Sequence, residues 1–251
     1  MPTIAILSAL PDEQAGLSAA LQSATRIAHA GRTFQRGTLH GRDAVLALSG
    51  IGKVAAATTA AALIERFGAD RIVFTGVAGG LGEGVRIGDV VVAQEMLQHD
   101  MDASPLFPRW EVPGYGRVRM ACDPALTGRL LEAAHECLAA GAGDPVTQER
   151  AVRAAAVHAG LVASGDRFVS GAAEADALAR TLRAAGHDVL AVEMEGAAVA
   201  QVCADHGVPF AAVRTISDRA DDDAPRDFAH FVRTVAGRYA DGIVGRLLQK
   251  L

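Results

Sequence analysis

The sequence predicts one α/β domain over residues 1–251, built on a mixed, mostly parallel central β-sheet flanked by helices. Three observations carry this. Short apolar runs alternate with helical patterns along most of the chain, the order expected of strands joined by crossover helices. Most of these runs are continuously apolar instead of alternating, as in strands covered on both faces. The chain has 251 residues, half of them apolar, enough for a single large core.

The elements follow in order. TIAILSA (3–9) is the first strand, with a helix at 13–23. RTFQRGTLHGRDAVLALS, within 26–49, reads as antiparallel hairpin strands turning near His40-Gly41, and it makes the sheet mixed. Its last strand is AVLALSG (44–50), and a helix spans 53–67. RIVFTGVAGG (71–80) and DVVVAQEM (89–96) are the next strands. The stretch 102–119 holds Pro105, Pro108, Pro113, Gly114 and Gly116, fits neither period and reads as an excursion from the core. A helix at 124–140, the strand GLVASG (160–165) and a helix at 174–185 come next. VLAVEM (189–194), a helix at 196–206, PFAAVRTIS (209–217) and a terminal helix at 226–249 complete the set.

Charge narrows the partners. A net charge of −5 leaves no electrostatic footprint for nucleic acid, and no run of Lys or Arg suggests a membrane surface, so the expected ligand is a small molecule. No apolar run reaches membrane-span length and MPTIAILSAL lacks the charged start of a secretory signal, so the expectation is cytoplasmic. Cys122, Cys137 and Cys203 have no CxxC spacing and read as buried small hydrophobes.

Several motifs fail. No glycine triplet in GVAGGLGEG (76–84) has dinucleotide-loop spacing, and no helical pattern follows it. GIGKV (50–54) ends like a phosphate loop, yet Ala47 stands where the first glycine belongs and Val54 where a hydroxyl would hold magnesium. No GxSxG elbow is present. His99, Asp100 and Asp102 lack a second histidine and read as a hydrogen-bonded loop, so no metal and no cofactor are assigned.

What recurs is an acid where a strand ends and a helix begins: Glu13, Glu195 and Asp218. Taken singly each reads as a helix cap or dipole partner as well as a catalytic group. Glu193 and Glu195 are two apart among apolar residues, which puts both on one face of an extended strand. Burying two carboxylates costs several kcal/mol unless they are paired or hydrogen-bonded. Arg214 and Ser217 stand ready to orient Asp218, whereas Asp221, Asp222 and Asp223 read as a solvated loop.

The stretches IAILSALPDEQ, SGIGKVAAA, TGVAGGL, GDVVVA with HDMD, SGDRF, VEMEGAA with VPFAAVRTISD, and the helix after DFAHF occur in this order along nearly the whole chain. Together they resemble the 5′-methylthioadenosine/S-adenosylhomocysteine nucleosidase family of the nucleoside phosphorylase superfamily. The resemblance implies a nucleoside phosphorylase-like fold, a homodimer, an adenosine thioether substrate and hydrolysis of the bond between adenine and ribose. It implies Glu13 as the base that activates water and Asp218 as the acid that protonates purine N7, supported by Arg214 and Ser217. It further implies Glu195 on the ribose hydroxyls, Met194 against the sugar, and adenine stacked on Phe168 and bonded to the Val169 backbone. It also implies that Val77, Ala78 and Gly79 of TGVAGG line the same site.

Related phosphorylases hold phosphate with arginines and a glycine-rich turn after the first strand. Here SALPDEQ has no arginine, Thr75 opens the TGVAGG run, and a carboxylate at that turn would repel phosphate. Two features depart from the family: Pro11 and Asp12 precede Glu13 in the usually acid-rich turn, and Val77 replaces a small hydroxyl residue. In DASPLFPRWEVPGYG, the resemblance implies that Leu106 and Phe107 help form a 5′-substituent pocket, with Leu10, Ile51 and Phe228, while a hydrophobic dimer contact is the equal alternative. Three alternatives stay open: a phosphorylase, a hydrolase of 5′-deoxyadenosine or aminodeoxyfutalosine, and a non-catalytic nucleoside-binding protein.

Overall fold

The computed structural model describes residues 2–141, 154–221 and 223–251. Its strands are β1 (Thr3–Ser8), β2 (Gln22–His29), β3 (Arg32–Leu39), β4 (Arg42–Leu48) and β5 (Ala69–Gly80). They continue with β6 (Val90–Gln98), β7 (Arg119–Ala121), β8 (Val157–Ser164), β9 (Val189–Glu193) and β10 (Phe210–Asp218). The helices among the described residues are α1 (Pro11–Ala20), α2 (Lys53–Glu65), α3 (Pro124–Ala139), α4 (Ala172–Ala184), α5 (Gly196–His206), α6 (Ala224–Phe231) and α7 (Gly237–Lys250).

The ten strands form one mixed sheet, but it is not mostly parallel: five pairings are parallel and five antiparallel. It also closes on itself. β5 pairs β10, β10 pairs β6, β6 pairs β8, β8 pairs β9, and β9 returns to β5 through Gly79↔Val192 and Gly80↔Ala191. Twelve residues make β5 long enough to serve β1 with its first half and β9 with its last two residues. Register shifts in β10 at Ile216/Asp218 and in β6 at Ala93/Glu95 add the local bend that closure requires. β1, β4, β3 and β2 extend from this ring as an open wing.

The continuous apolar strands are explained by two cores. In β1, Ala5 and Leu7 belong to one, with Ala56, Ala60 and Leu63 of α2 and Val199 and Cys203 of α5. Ile4 and Ile6 belong to the other, with Leu17 of α1, Leu130 of α3 and Tyr239, Ile243 and Leu247 of α7. Alternate residues therefore meet different helices, and neither face needs polar groups.

Some boundaries differ from the expectation. The first helix runs Pro11–Ala20, with Pro11 in its first turn, and β2 begins at Gln22. Every residue of β2 is exposed or half-exposed, so it carries no burial pattern for a sequence to display. The expected terminal helix is α6, a π-helical turn over Val232–Ala236, then α7. The 102–119 excursion is anchored by Trp110, which is buried and donates its indole N–H to His99 O at 3.0 Å. Asp221 and Asp223 lie in the connection to α6, half-buried and exposed, while Asp222 is outside the described residues.

Helix α7 lies against α1 at Gly237, where an added Cβ would stand 2.8 Å from the Asp12 carbonyl oxygen. Gly237→Ala is therefore expected to lower stability by about 1–3 kcal/mol, because it forces backbone apart. Gly128, in α3, has open space around the same position. Gly128→Ala should raise stability by about 0.5–1 kcal/mol. Urea unfolding of both variants checks the pair, and equal midpoints would show that α1 and α7 have slack between them.

Candidate active site

Glu13 sits in the first turn of α1 and serves two elements. Its Oε2 accepts the N–H groups of Ala9 and Leu10 at 2.9 and 2.8 Å, as the acidic half of a capping box. Its Oε1 reaches across to the Val77 N–H of β5 at 3.1 Å. Gly76 makes this approach possible, since a Cβ there would lie 2.8 Å from Oε1. The carboxyl is buried, and burial raises its proton affinity above the ordinary glutamate value against the pull of these N–H groups and of Arg214.

Arg214, in the middle of β10, is the largest fully buried side chain among the described residues. Its Nη2 lies 2.7 Å from Glu193 Oε2, its Nη1 donates to the Phe74 and Val213 carbonyls at 3.1 Å each, and the guanidinium lies 4.1 Å from the Phe74 ring centroid. Glu193 also accepts from the Ser164 hydroxyl and from Gly196 N–H at 2.9 Å to Oε2 and 3.0 Å to Oε1. Arg214 is thus not a support of Asp218. The two are four residues apart on an extended strand, about 13 Å, and the guanidinium turns sideways to β9.

Glu193 and Glu195 do not share a strand face. β9 ends at Glu193, and Glu195 is the N-cap of α5 with φ −139° and ψ −42°. Glu193 turns inward to Arg214, while Glu195 Oε1 accepts the Gly52 N–H at 2.8 Å. The capping role considered for Glu195 falls instead to Glu193, which takes the first N–H of α5. Burial, then repulsion from Glu193, pushes Glu195 up to about 8, against the Gly52 N–H and Arg214.

Asp218 ends β10. Ser217 Oγ donates to its Oδ2 at 2.8 Å, and Ala220 N–H donates to Oδ1 at 2.8 Å. Ala220 holds that geometry at φ +53°, a left-handed conformation that disfavours a side chain. Burial raises the Asp218 proton affinity, opposed by Ser217 and Ala220 and reinforced by Asp221 and Asp227. A Cβ on Gly79 would stand 3.0 Å from Asp218 Oδ1, so both acids are admitted to β5 by glycines.

The structure brings other expected residues to this region. Ser217 Oγ also lies 3.4 Å from Ala78 O, and Val77 and Ala78 are buried. Val169 packs with Val192 and Ala220. Phe168, 40% exposed, meets Phe228 edge-on with centroids 5.5 Å apart. Met194 is half-buried. Ile51 and Leu106 are 57% and 84% exposed, and Phe107 is also exposed, so within one copy these three line no enclosed pocket. Unexpected from sequence are Gly52, Gly76, Ser164 and Ala220. Each acts through a backbone group, a missing side chain or a cross-strand bond, and only the glycines of GIG and TGVAGG left any signal.

Because the neutral form of Glu195 is favoured in the fold, its value rising from 4.5 to about 8, the stability it contributes is fully present below 4.5. That contribution is lost as pH rises toward and through about 8. Glu195→Gln is therefore expected to raise the melting temperature at pH 9 and to change it less at pH 5. Calorimetry at the two pH values checks this, and an equal shift at both would contradict it.

A profile of the phosphorylase superfamily matches residues 3–249. The 5′-methylthioadenosine/S-adenosylhomocysteine nucleosidase of Shewanella putrefaciens is 38% identical over 248 residues, 99% of each chain. The Neisseria meningitidis nucleosidase of the same name, solved in complex with methylthio-immucillin-A, superposes with a TM-score of 0.85 at 35% identity, covering 100% of both chains. Futalosine hydrolase of Helicobacter pylori superposes with a TM-score of 0.84 at 30% identity, covering 100% of this chain and 98% of that one. The chain belongs to the phosphorylase superfamily and, within it, to the 5′-methylthioadenosine/S-adenosylhomocysteine nucleosidase family.

Proposed function

We propose that the whole chain acts as one nucleosidase domain, hydrolysing the N-glycosidic bond of 5′-methylthioadenosine, S-adenosylhomocysteine or both to release adenine. The observation that carries this is the pair of buried carboxyl groups, Glu13 and Asp218, held against the same short run of β5 by Gly76 and Gly79. The two contact points are three positions apart along the strand, about 10 Å, which leaves room for a sugar carbon with a water on one side and a base on the other.

Cleavage at C1′ passes through an oxocarbenium-like state, which needs a protonated leaving group and a nucleophile on the far face. Asp218 gives its proton to N7 of adenine as the bond from C1′ to N9 breaks. Glu13 takes a proton from water as the water oxygen bonds to C1′. The N–H groups of Ala9, Leu10 and Val77 favour the carboxylate of Glu13 that this step needs. Burial raises the proton affinity of both acids; these three N–H groups oppose it at Glu13, and one hydroxyl and one N–H, of Ser217 and Ala220, oppose it at Asp218. Glu195 takes the ribose hydroxyls, Met194 packs on the sugar, Phe168 stacks on adenine with Phe228 at its edge, and the Val169 backbone bonds the base. Arg214, held by Glu193, supplies a positive field toward Glu13 and Glu195 without contacting Asp218.

Phosphate is disfavoured as nucleophile because the turn after β1 presents Glu13 and no arginine. Exposed Ile51, Val54, Leu106 and Phe107 support a homodimer in which a second copy completes the 5′ pocket. The enzyme is read as cytoplasmic: among the described residues no helix is long and apolar enough to cross a membrane, and Cys122, Cys137 and Cys203 are free thiols.

The protein is expected to release adenine from 5′-methylthioadenosine in phosphate-free buffer; product that appears only with added phosphate would mark a phosphorylase. 5′-Deoxyadenosine and aminodeoxyfutalosine belong in the same panel. Glu13→Gln should lower turnover about 10²–10⁴-fold while substrate still binds, as removal of a general base does. Unchanged turnover would reassign the base. The pH profile of kcat/KM should be bell-shaped, with an acid limb where Glu13 gains a proton and an alkaline limb where Asp218 loses one, both limbs displaced upward from the ordinary carboxylate range by burial. The acid limb should vanish in Glu13→Gln.

A further inference from the structure

Two sequence features stand outside this chemistry: GIGKV, an incomplete phosphate loop, and HDMD, an incomplete metal set. In the fold they meet. The Lys53 ammonium lies 2.5 Å from Asp100 Oδ1 and donates to Gln98 Oε1 at 3.1 Å. Asp166 N–H donates to Asp100 Oδ2 at 2.8 Å, and Lys53 N–H donates to Asp166 Oδ1 at 2.7 Å. Lys53, Asp100 and Asp166 thus close a hydrogen-bonded ring that joins the loop after β4, the loop after β6 and the loop after β8.

This ring adjoins the site on two sides. Gly52, beside Lys53, donates its N–H to Glu195, and it does so at φ +99°, where a Cβ would stand 3.2 Å from Asp166 Oδ1. Asp166 lies two residues before Phe168. Gln98, bonded to the lysine, also donates to Gln201 of α5 at 2.9 Å, the helix that starts behind Glu195.

We infer that Lys53, Asp100 and Asp166 are positioning residues that fix the spacing between Glu195 and Phe168, and hence the seat of a purine riboside between them. The inference rests on the nucleosidase reading for where the substrate lies. None of the three acts on a reacting atom. They work through Gly52 and through the backbone that leads to Phe168. The Lys53 side chain is 15% exposed and that of Asp100 32%, so the pair is screened by solvent on the Asp100 side and relies on its hydrogen bonds to Gln98 and to the Asp166 N–H as well as on charge. Burial opposes ionisation of Asp100, but Lys53 and the Asp166 N–H together hold its carboxyl below the ordinary value. A loop misplaced by an ångström is costly for a site that must hold sugar and base at once.

The test uses full-length Lys53→Met, Asp100→Asn, their double variant and Lys53→Arg, with adenine release from 5′-methylthioadenosine and thermal melting as readouts. Lys53→Met is expected to raise KM about tenfold with kcat within about threefold of wild type, since the lost contacts seat the substrate without entering the chemical step. Lys53→Arg should recover most of the KM, and the double variant should match the single ones, as for residues acting as a unit. An unchanged KM, or a fall in melting temperature and kcat at constant KM, would overturn the inference. If the wild type releases no adenine from any nucleoside tested, the proposed function fails and the ring is judged by calorimetric binding of 5′-methylthioadenosine. Weaker binding by Lys53→Met would then support it, while equal binding, or none by either protein, would overturn it.

Discussion

The site is organised around a buried ion pair. Arg214 and Glu193 have side chains only 2% exposed, so their association must offset a desolvation cost of several kcal/mol per ion. The surroundings meet that demand almost completely. Two carbonyls, an aromatic face, a hydroxyl and backbone N–H groups at the start of α5 saturate the pair. Those partners lie in or directly after β5, β8, β9 and β10, so satisfying the charges also fixes how the strands around the site stand. A charge network this fully bonded leaves little freedom for the side chains next to it.

The same arrangement explains why three further carboxyl groups can be buried nearby. Glu13, Glu195 and Asp218 all hold protons more tightly than free acids do, chiefly because they are desolvated. None is unpartnered, and the donors are mostly backbone N–H groups that cannot titrate. The polypeptide thus carries acids shifted above the ordinary carboxylate range at a cost in stability, offset by two apolar cores that meet at every other residue of β1.

Much of this was legible in the sequence, for identifiable reasons. Glu13 and Asp218 stood out because an acid at the end of an unbroken apolar run must be paid for by some specific contact. The apolar strands were legible because both faces are covered. β2 was not, because it is exposed throughout. Closure of the sheet was not, because it depends on a two-residue pairing between Gly79-Gly80 and β9. The partner of Arg214 could not be read either: Ser217 is its near neighbour in sequence, yet the charge it meets comes from another strand.

The π-helical turn at Val232–Ala236 bears on how this chain tolerates insertions and deletions. Each residue of an α-helix advances the azimuth by about 100°, and a π turn takes up one extra residue. Phe231 and Tyr239, eight apart and about 80° out of phase in an uninterrupted α-helix, come to stack with centroids 6.4 Å apart across that turn. Removing a single residue there would straighten the helix yet swing the whole C-terminal segment off Leu17 and Leu130. A shortened chain would pay for its regularity with half of a core.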